Sequence, residues 1–289
     1  MNINDVKKKI VKYWKTDNKK IALFRDILSM VFVLFLVIIL LWSYTGQWFQ
    51  APLVAIESGS MEHTPPLYST NPPFGRIGTI DAGDLVLIKK VDFYDDIITH
   101  GGSFGGAQAE NGYKSYGLYG DVIVFHPDGN KDITPVIHRA MCWVDVTIVN
   151  NQRTYTITEY GIINESSLPP IPELGLETNA QPNWDHSGFL TKGDNNRLFD
   201  NLPNQGIYES SQPIKVEWIT GKARGEIPWF GTINLFFSDI VKGTNNVKNV
   251  PTDSLICFAL STILIILILV LLDMKDYLSE KIKQKKNPE

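Results

Sequence analysis

Cysteine is scarce: Cys142 and Cys257 are the only two in 289 residues, and the second lies in an apolar run. A disulfide framework and a cysteine-based zinc site are therefore not expected. Charge of one sign is lacking too. Lys and Arg number 27 against 31 Asp and Glu, and a net charge of -4 gives no footing for a nucleic-acid partner. The five histidines, His63, His100, His126, His138 and His186, form no pair at helical or strand spacing with nearby carboxylates. No metal site and no cofactor is implied. There is no low-complexity tract and no convincing amphipathic helix of normal length. The nearest thing to a repeat is a pair of Gly-Asp strand starts, Gly83-Asp84 and Gly120-Asp121.

Long apolar runs, by contrast, are present. One extends from Ile27 to about Tyr44 and another from about Leu255 to Leu272. At about 18 residues each would span roughly 27 Å as helix, enough to cross a hydrocarbon core. Neither carries the polar stripe of a buried core helix. The first has too long an apolar core for a cleaved signal peptide, and Gly46-Gln47-Trp48-Phe49-Gln50 offers no small-x-small cleavage site. Trp42, Tyr44 and Trp48 read as an interfacial aromatic belt.

Basic residues crowd the ends: Lys7, Lys8, Lys9, Lys12, Lys15, Lys19, Lys20 and Arg25 before the first run, Lys275, Lys281, Lys283, Lys285 and Lys286 after the second. The positive-inside rule then expects both termini in the cytoplasm. The expected organisation is a basic cytoplasmic segment (1-26), a membrane helix (27-44), an extracytoplasmic domain (45-253), a second membrane helix (254-273) and a basic cytoplasmic tail (274-289).

The outer region reads as mainly β. Runs 85-88, 122-125, 135-137, 144-149 and 154-158 are rich in β-branched residues and separated by Gly, Asn, Asp and Pro. The last two runs, joined by Asn150-Asn151-Gln152-Arg153, predict a hairpin. Two stretches read as insertions: 92-119, rich in Gly, Asp and Tyr, and 162-186, which carries Pro169, Pro170, Pro172 and Pro182. Loops this long are often functional or partly disordered. Asn164-Glu165-Ser166 is a glycosylation sequon. Trp229, Phe230, Leu235, Phe236 and Phe237, just before the second apolar run, suit either lipid contact or ordinary core packing.

Chemistry centres on Ser58-Gly59-Ser60-Met61, a short distance past the first apolar run. Such a run is ordinarily a loop, but its glycine permits a tight turn that presents one hydroxyl with another beside it. A serine nucleophile needs a base. His63 follows Ser60 by three residues, whereas His138 ends an apolar strand run, a rigid platform for a reactive side chain. A third group should orient the base, and the stretch Thr191-Lys192-Gly193-Asp194-Asn195-Asn196 through Asp200 offers two carboxylates.

Taken in order, these runs resemble a known family, the membrane signal peptidases of the archaeal and endoplasmic-reticulum type. Ser58-Gly59-Ser60-Met61 resembles the nucleophile box, and the two Gly-Asp runs resemble the following strand boxes. Ile137-His138-Arg139 resembles the box of the general base. Thr191 to Asp200 resembles the acidic box, and Gly221-Lys222-Ala223-Arg224-Gly225 with Ile227-Pro228 resembles the segment before a C-terminal anchor. The resemblance covers about Val54 to Gly231. Histidine at 138 points to this branch, because the bacterial type carries lysine there.

The resemblance implies a signal-peptidase-like β catalytic domain between two transmembrane helices, and a serine endopeptidase that removes signal peptides. Ser60 would be the nucleophile, His138 the general base and Asp200 the third carboxylate. Ser58 would assist at the oxyanion, and Asp194 would brace the site. Preproteins, the bilayer and the export translocon are the implied partners, and the implied location is the cell membrane or, in a eukaryote, the endoplasmic-reticulum membrane. One departure stands out: His63 occupies the place where the family has proline, with prolines only at Pro65 and Pro66. Two rival readings remain. One is a non-catalytic membrane-anchored β-module; the other is a serine hydrolase using His63 or Lys89 as base.

Overall fold

The computed structural model describes residues 19–63, 74–105, 112–202 and 211–286. Most of the basic residues expected to precede the first apolar run, and Pro65 and Pro66, lie outside them. The chain divides into two compact units, Met1–Pro52 and Leu53–Glu289.

The first unit is built on helix α1 (Lys19–Thr45). Its leucines, valines and phenylalanines from Leu23 to Leu40 are exposed all round, so no face of it is packed as a core face would be. At its end Trp42 meets Trp48 and Phe49, with ring centroids 6.2 and 5.3 Å apart, and donates Nε1–H to the Gln50 carbonyl at 2.9 Å.

The second unit is mainly β. Strands β1 (Leu53–Ala55) and β2 (Leu85–Lys89) are followed by a short helix α2 (His100–Gly105) and a small two-stranded ribbon, β3 (Lys114–Ser115) and β4 (Leu118–Tyr119). Then come β5 (Val122–Phe125), β6 (Val136–Val149), β7 (Gln152–Ile157), β8 (Ile162–Glu165), β9 (Gly188–Lys192) and β10 (Ile219–Ile227). Helices α3 (Gly231–Lys242) and α4 (Thr252–Lys286) close the chain. Apart from β3 and β4, the strands form one eight-stranded antiparallel sheet in the order β1-β2-β10-β5-β6-β7-β8, with β9 also on β6. Helices α1 and α4 are both long and apolar enough to cross a membrane.

The runs expected at 135-137 and 144-149 prove to be one strand. β6 is 14 residues long because it changes partner along its length: β5 over Val136–Arg139, β9 over Arg139–Val144, then β7 over Asp145–Val149. The β6–β7 turn is Asn150-Asn151, with φ of 50° and 64°, the left-handed pair that a two-residue hairpin needs. The two Gly-Asp starts have a shared cause. Gly83 and Gly120 have φ of 98° and 83°, and a Cβ on Gly120 would lie 2.5 Å from the His100 amide nitrogen. The aspartate after each is a buried hub. Asp84 accepts from the Trp229 and Asp81 amides at 2.8 and 2.9 Å. Asp121 accepts from the Ile98 amide, Tyr113, Lys222 and Arg224.

One expectation is corrected. α3 is a helix of ordinary length where none was expected: Leu235 is buried, while Ile233, Phe236, Phe237, Ile240 and Val241 stay exposed. Its exposed side is itself apolar, so the sequence lacks the polar alternation by which such helices are recognised. The stretch 162-186, read as an insertion, is largely irregular beyond β8 but packed. Leu168, Ile171, Leu174, Leu176 and Trp184 join the core beneath β6, and short bridges Leu168–Ala180 and Ile171–Leu176 fold it back on itself. Within 92-119, α2 packs against β6. The sequon residue Asn164 lies exposed on β8.

Candidate active site

Ser60 is held by its neighbours rather than by a regular element. After β1, Ile56 continues the pairing: its amide donates to the Asp84 carbonyl and its own carbonyl accepts from Gly83, both at 2.9 Å. The chain then turns at Gly59, and Met61, fully buried, anchors the far side. Asn195 clasps the turn from outside. Its amide donates to the Ser60 carbonyl at 2.9 Å and its side chain to the Gly59 carbonyl at 3.0 Å. This close approach explains Gly193, where a Cβ would stand 2.6 Å from the Ser60 carbonyl oxygen.

His138 sits within β6, in register with Ile123 of β5, and is buried. Its Nε2 lies 3.0 Å from Ser60 Oγ and its Nδ1 lies 2.5 Å from Asp200 Oδ2. The acidic partner fixes the tautomer: Nδ1–H donates to the carboxylate, which leaves Nε2 to accept from the Ser60 hydroxyl. Asp200 is fully buried and pinned by the end of β9. Its amide donates to the Thr191 carbonyl at 2.8 Å, and the Thr191 hydroxyl donates to Oδ2 at 2.8 Å. Asn201 accepts from the Thr191 amide at 2.9 Å, and buried Phe199 and Leu202 hold the segment down. Ser58 Oγ stands 3.3 Å from Ser60 Oγ.

Asp194 is not part of this chain of hydrogen bonds. It receives two hydrogen bonds of 2.7 Å from Arg139, next to the histidine, and both side chains are almost wholly buried. The same guanidinium donates to the carbonyls of Ser115 and Gly120 at 3.1 and 2.7 Å, with longer contacts to Leu118 and Tyr119. Arg139 thus ties the base strand to both the acidic segment and the β3–β4 ribbon. No role for Arg139 is legible in sequence beyond its adjacency to His138.

His63 points elsewhere. Its ring nitrogens face the carbonyls of Met61 at 3.0 Å and Tyr116 at 2.8 Å, with Asp194 at 3.3 Å. Lys89 is exposed at the end of β2, paired in register with Lys222. Neither makes a hydrogen bond to Ser60 among the described residues. His126 contacts the Ile133 carbonyl, His186 stacks edge-on to Trp218, and His100 lies in α2.

A second group of acids sits below the serine turn. Burial pushes the Glu62 and Asp81 carboxyls up from their ordinary values, and burial likewise pushes Asp84 and Glu226 up to about 7. Arg76 offsets part of this by contacting Glu62, Asp81 and Asp253. The turn is also tied to the approach to α4: Asn246 donates to the Glu57 carboxylate at 3.1 Å and Asn249 to its carbonyl at 2.9 Å.

Ser60 and His138 open on a cleft of about 590 Å³ bordered by Ala55, Glu57, Ile133 and Val136. Two strand edges run along it. β1 pairs only with β2 among the described residues, and Val136–His138 pair only with β5 before β9 joins at Arg139. In chemical terms the hydroxyl has an acceptor for its proton, the acceptor has a carboxylate behind it, and the hydroxyl faces open space. No family model matches this chain.

Proposed function

We propose that the chain is a membrane-anchored serine endopeptidase that removes signal peptides from exported preproteins, with a signal-peptidase-like β domain. The observation that carries this reading is the hydrogen-bonded series Ser60–His138–Asp200 opening on a cleft between two free strand edges. The resemblance of its ordered sequence boxes to the archaeal and endoplasmic-reticulum signal peptidases supports the substrate class. Two apolar helices long enough to cross a bilayer support the anchoring.

An extended peptide entering the cleft would add backbone hydrogen bonds along either edge, which brings its carbonyl to Ser60. Ser60 attacks that carbonyl while His138 Nε2 takes the hydroxyl proton, and Asp200 holds the imidazole in the tautomer that can do so. The oxyanion that forms is stabilised by the Ser60 backbone N–H and the Ser58 hydroxyl. His138 then gives its proton to the leaving amine, and an acyl-enzyme on Ser60 results. Water deprotonated by His138 releases the acyl group and restores the serine.

The exposed apolar side of α3, with Phe236, Phe237 and Ile240 at 55 to 65% exposure, rests on lipid in this reading. The substrate's own apolar segment would lie in the same bilayer. By the positive-inside rule the basic ends support cytoplasmic termini, with the β domain on the other side, where the export translocon would deliver preproteins.

Alanine variants of Ser60, His138, Asp200 and His63 separate this reading from its rivals. Cleavage of a signal-bearing preprotein is abolished or reduced by orders of magnitude in the first three and retained in His63→Ala. Full cleavage by His138→Ala, or loss confined to His63→Ala, contradicts the assignment.

A further inference from the structure

A second cleft lies on a part of the sheet that the Ser60 site does not use. It occupies about 490 Å³ and adjoins a pocket of about 220 Å³, and the two share Tyr94, Trp143 and Glu159. Trp143 is five residues beyond His138 on β6, roughly 17 Å along an extended strand. The walls come from separate parts of the chain: Tyr94, Asp95 and Thr99 from the 92-119 stretch, Trp143 and Asp145 from β6, and Glu159 from the turn after β7.

The aromatic wall is firmly set. Trp143 packs edge-on against buried Phe189 at 4.9 Å and faces Tyr94 at 5.5 Å, while Tyr94 remains 55% exposed. The carboxylates are set by neutral donors. Asp145 accepts from Trp143 Nε1 at 2.8 Å; Glu159 accepts from the Thr99 hydroxyl at 2.8 Å and the Trp143 amide at 3.2 Å. Among the described residues no Lys, Arg or His forms an ion pair with Asp95, Asp145 or Glu159. Burial and the nearby Asp145 both raise the Glu159 carboxyl, so an added cation would relieve an existing repulsion.

We propose that this cleft is a binding site for the ammonium or guanidinium group of a basic polypeptide side chain. Exposed aromatic faces attract a cation and can stack a planar guanidinium. Two carboxylates that line the larger cleft, Asp145 and Glu159, call for a ligand that donates several hydrogen bonds, which lysine and arginine do and a quaternary ammonium cannot. A metal ion fits less well, since among the described residues no three His, Cys, Asp or Glu side chains converge as its ligands would. The site gives the 92-119 stretch a purpose independent of peptide cleavage.

Calorimetric titration of the full-length protein in detergent micelles tests this with N-acetyl-arginine methylamide, N-acetyl-lysine methylamide and tetramethylammonium as probes. The two amides bind, with tetramethylammonium at least about tenfold weaker, the equivalent of about 1.4 kcal/mol. Glu159→Gln and Tyr94→Ala, the latter at an exposed position that leaves the fold intact, each weaken the arginine probe by about the same factor. Ser60→Ala leaves binding unchanged, which separates this cleft from the Ser60 site. Absence of binding by either amide overturns the proposal. So does equal binding of tetramethylammonium, or binding that is untouched in Glu159→Gln and Tyr94→Ala.

Discussion

Thr191 contributes to the site twice within a few ångströms. Its backbone carbonyl fixes the Asp200 amide, and its hydroxyl donates to the same Asp200 oxygen that faces His138. Asp200 Oδ1, by contrast, is buried and accepts no hydrogen bond from a described residue. Thr191→Val keeps shape and removes one hydrogen bond to a charged acceptor, worth about 1.5–3 kcal/mol. The expected result is a kcat roughly tenfold or more lower with KM little changed, read from preprotein cleavage rates. A variant that raised KM alone would place Thr191 in substrate binding instead.

Asp84 and Glu226 carry a consequence for pH. Both are pushed up to about 7 by burial, against about 4 in an unfolded chain. Between those values the folded protein holds protons that the unfolded chain has released. The stabilisation from these two groups is therefore full below about pH 4 and is lost as pH rises to about 7. Asp96 and Asp239, held below their ordinary values by backbone and hydroxyl donors, act in the opposite sense at lower pH. Comparing the thermal midpoint across pH 4 to 7 with that of the Asp84→Asn, Glu226→Gln double variant isolates the effect. The slope flattens in the double variant; an unchanged slope contradicts the assignment.

At the scale of elements, β6 and the segment after β9 are fastened by Arg139, which is 1% exposed. Arg139→Ala would leave Asp194 buried without its partner and two to four carbonyls without their donor. The cost expected for breaking a buried pair is about 3–5 kcal/mol, measured as a drop in unfolding midpoint. Cleavage should fall with it, because Asn195, beside Asp194, holds the Ser60 turn.

How much of this was legible in sequence follows from what is local. The β-branched runs, the Asn150-Asn151 hairpin and the apolar stretches within α1 and α4 are short-range patterns, and they were readable. β9 and β10 were not assigned as strands. Their strand signal is weak: β9 has Thr191 as its one β-branched residue, and β10 is broken by Gly221 and Gly225 and by the charges of Lys222, Arg224 and Glu226. Ser60, His138 and Asp200 could be nominated, but nothing local says that positions 78 and 62 residues apart will meet. That closure depends on the partner exchange along β6 and on Asp200 folding back onto Thr191. The role of His63 was also hidden, since its partners Tyr116 and Asp194 are distant in the chain.

At the scale of the molecule, the β unit carries its cleft, its serine turn and the approach to α4 as one connected structure. Glu57 beside the serine turn is held by Asn246 and Asn249, and Arg76 links Glu62 to Asp253 at the start of α4. A candidate site joined in this way to an apolar helix would suit the proposed substrate, which is itself presented from a bilayer. The direct measurement uses the purified full-length chain, reconstituted in lipid, with a signal-bearing preprotein and mass analysis of the new N-terminus. The expected result is a single cut at the end of the signal segment, absent in Ser60→Ala and His138→Ala. A preprotein left whole by the intact chain, or cut equally well by Ser60→Ala, would contradict the proposal.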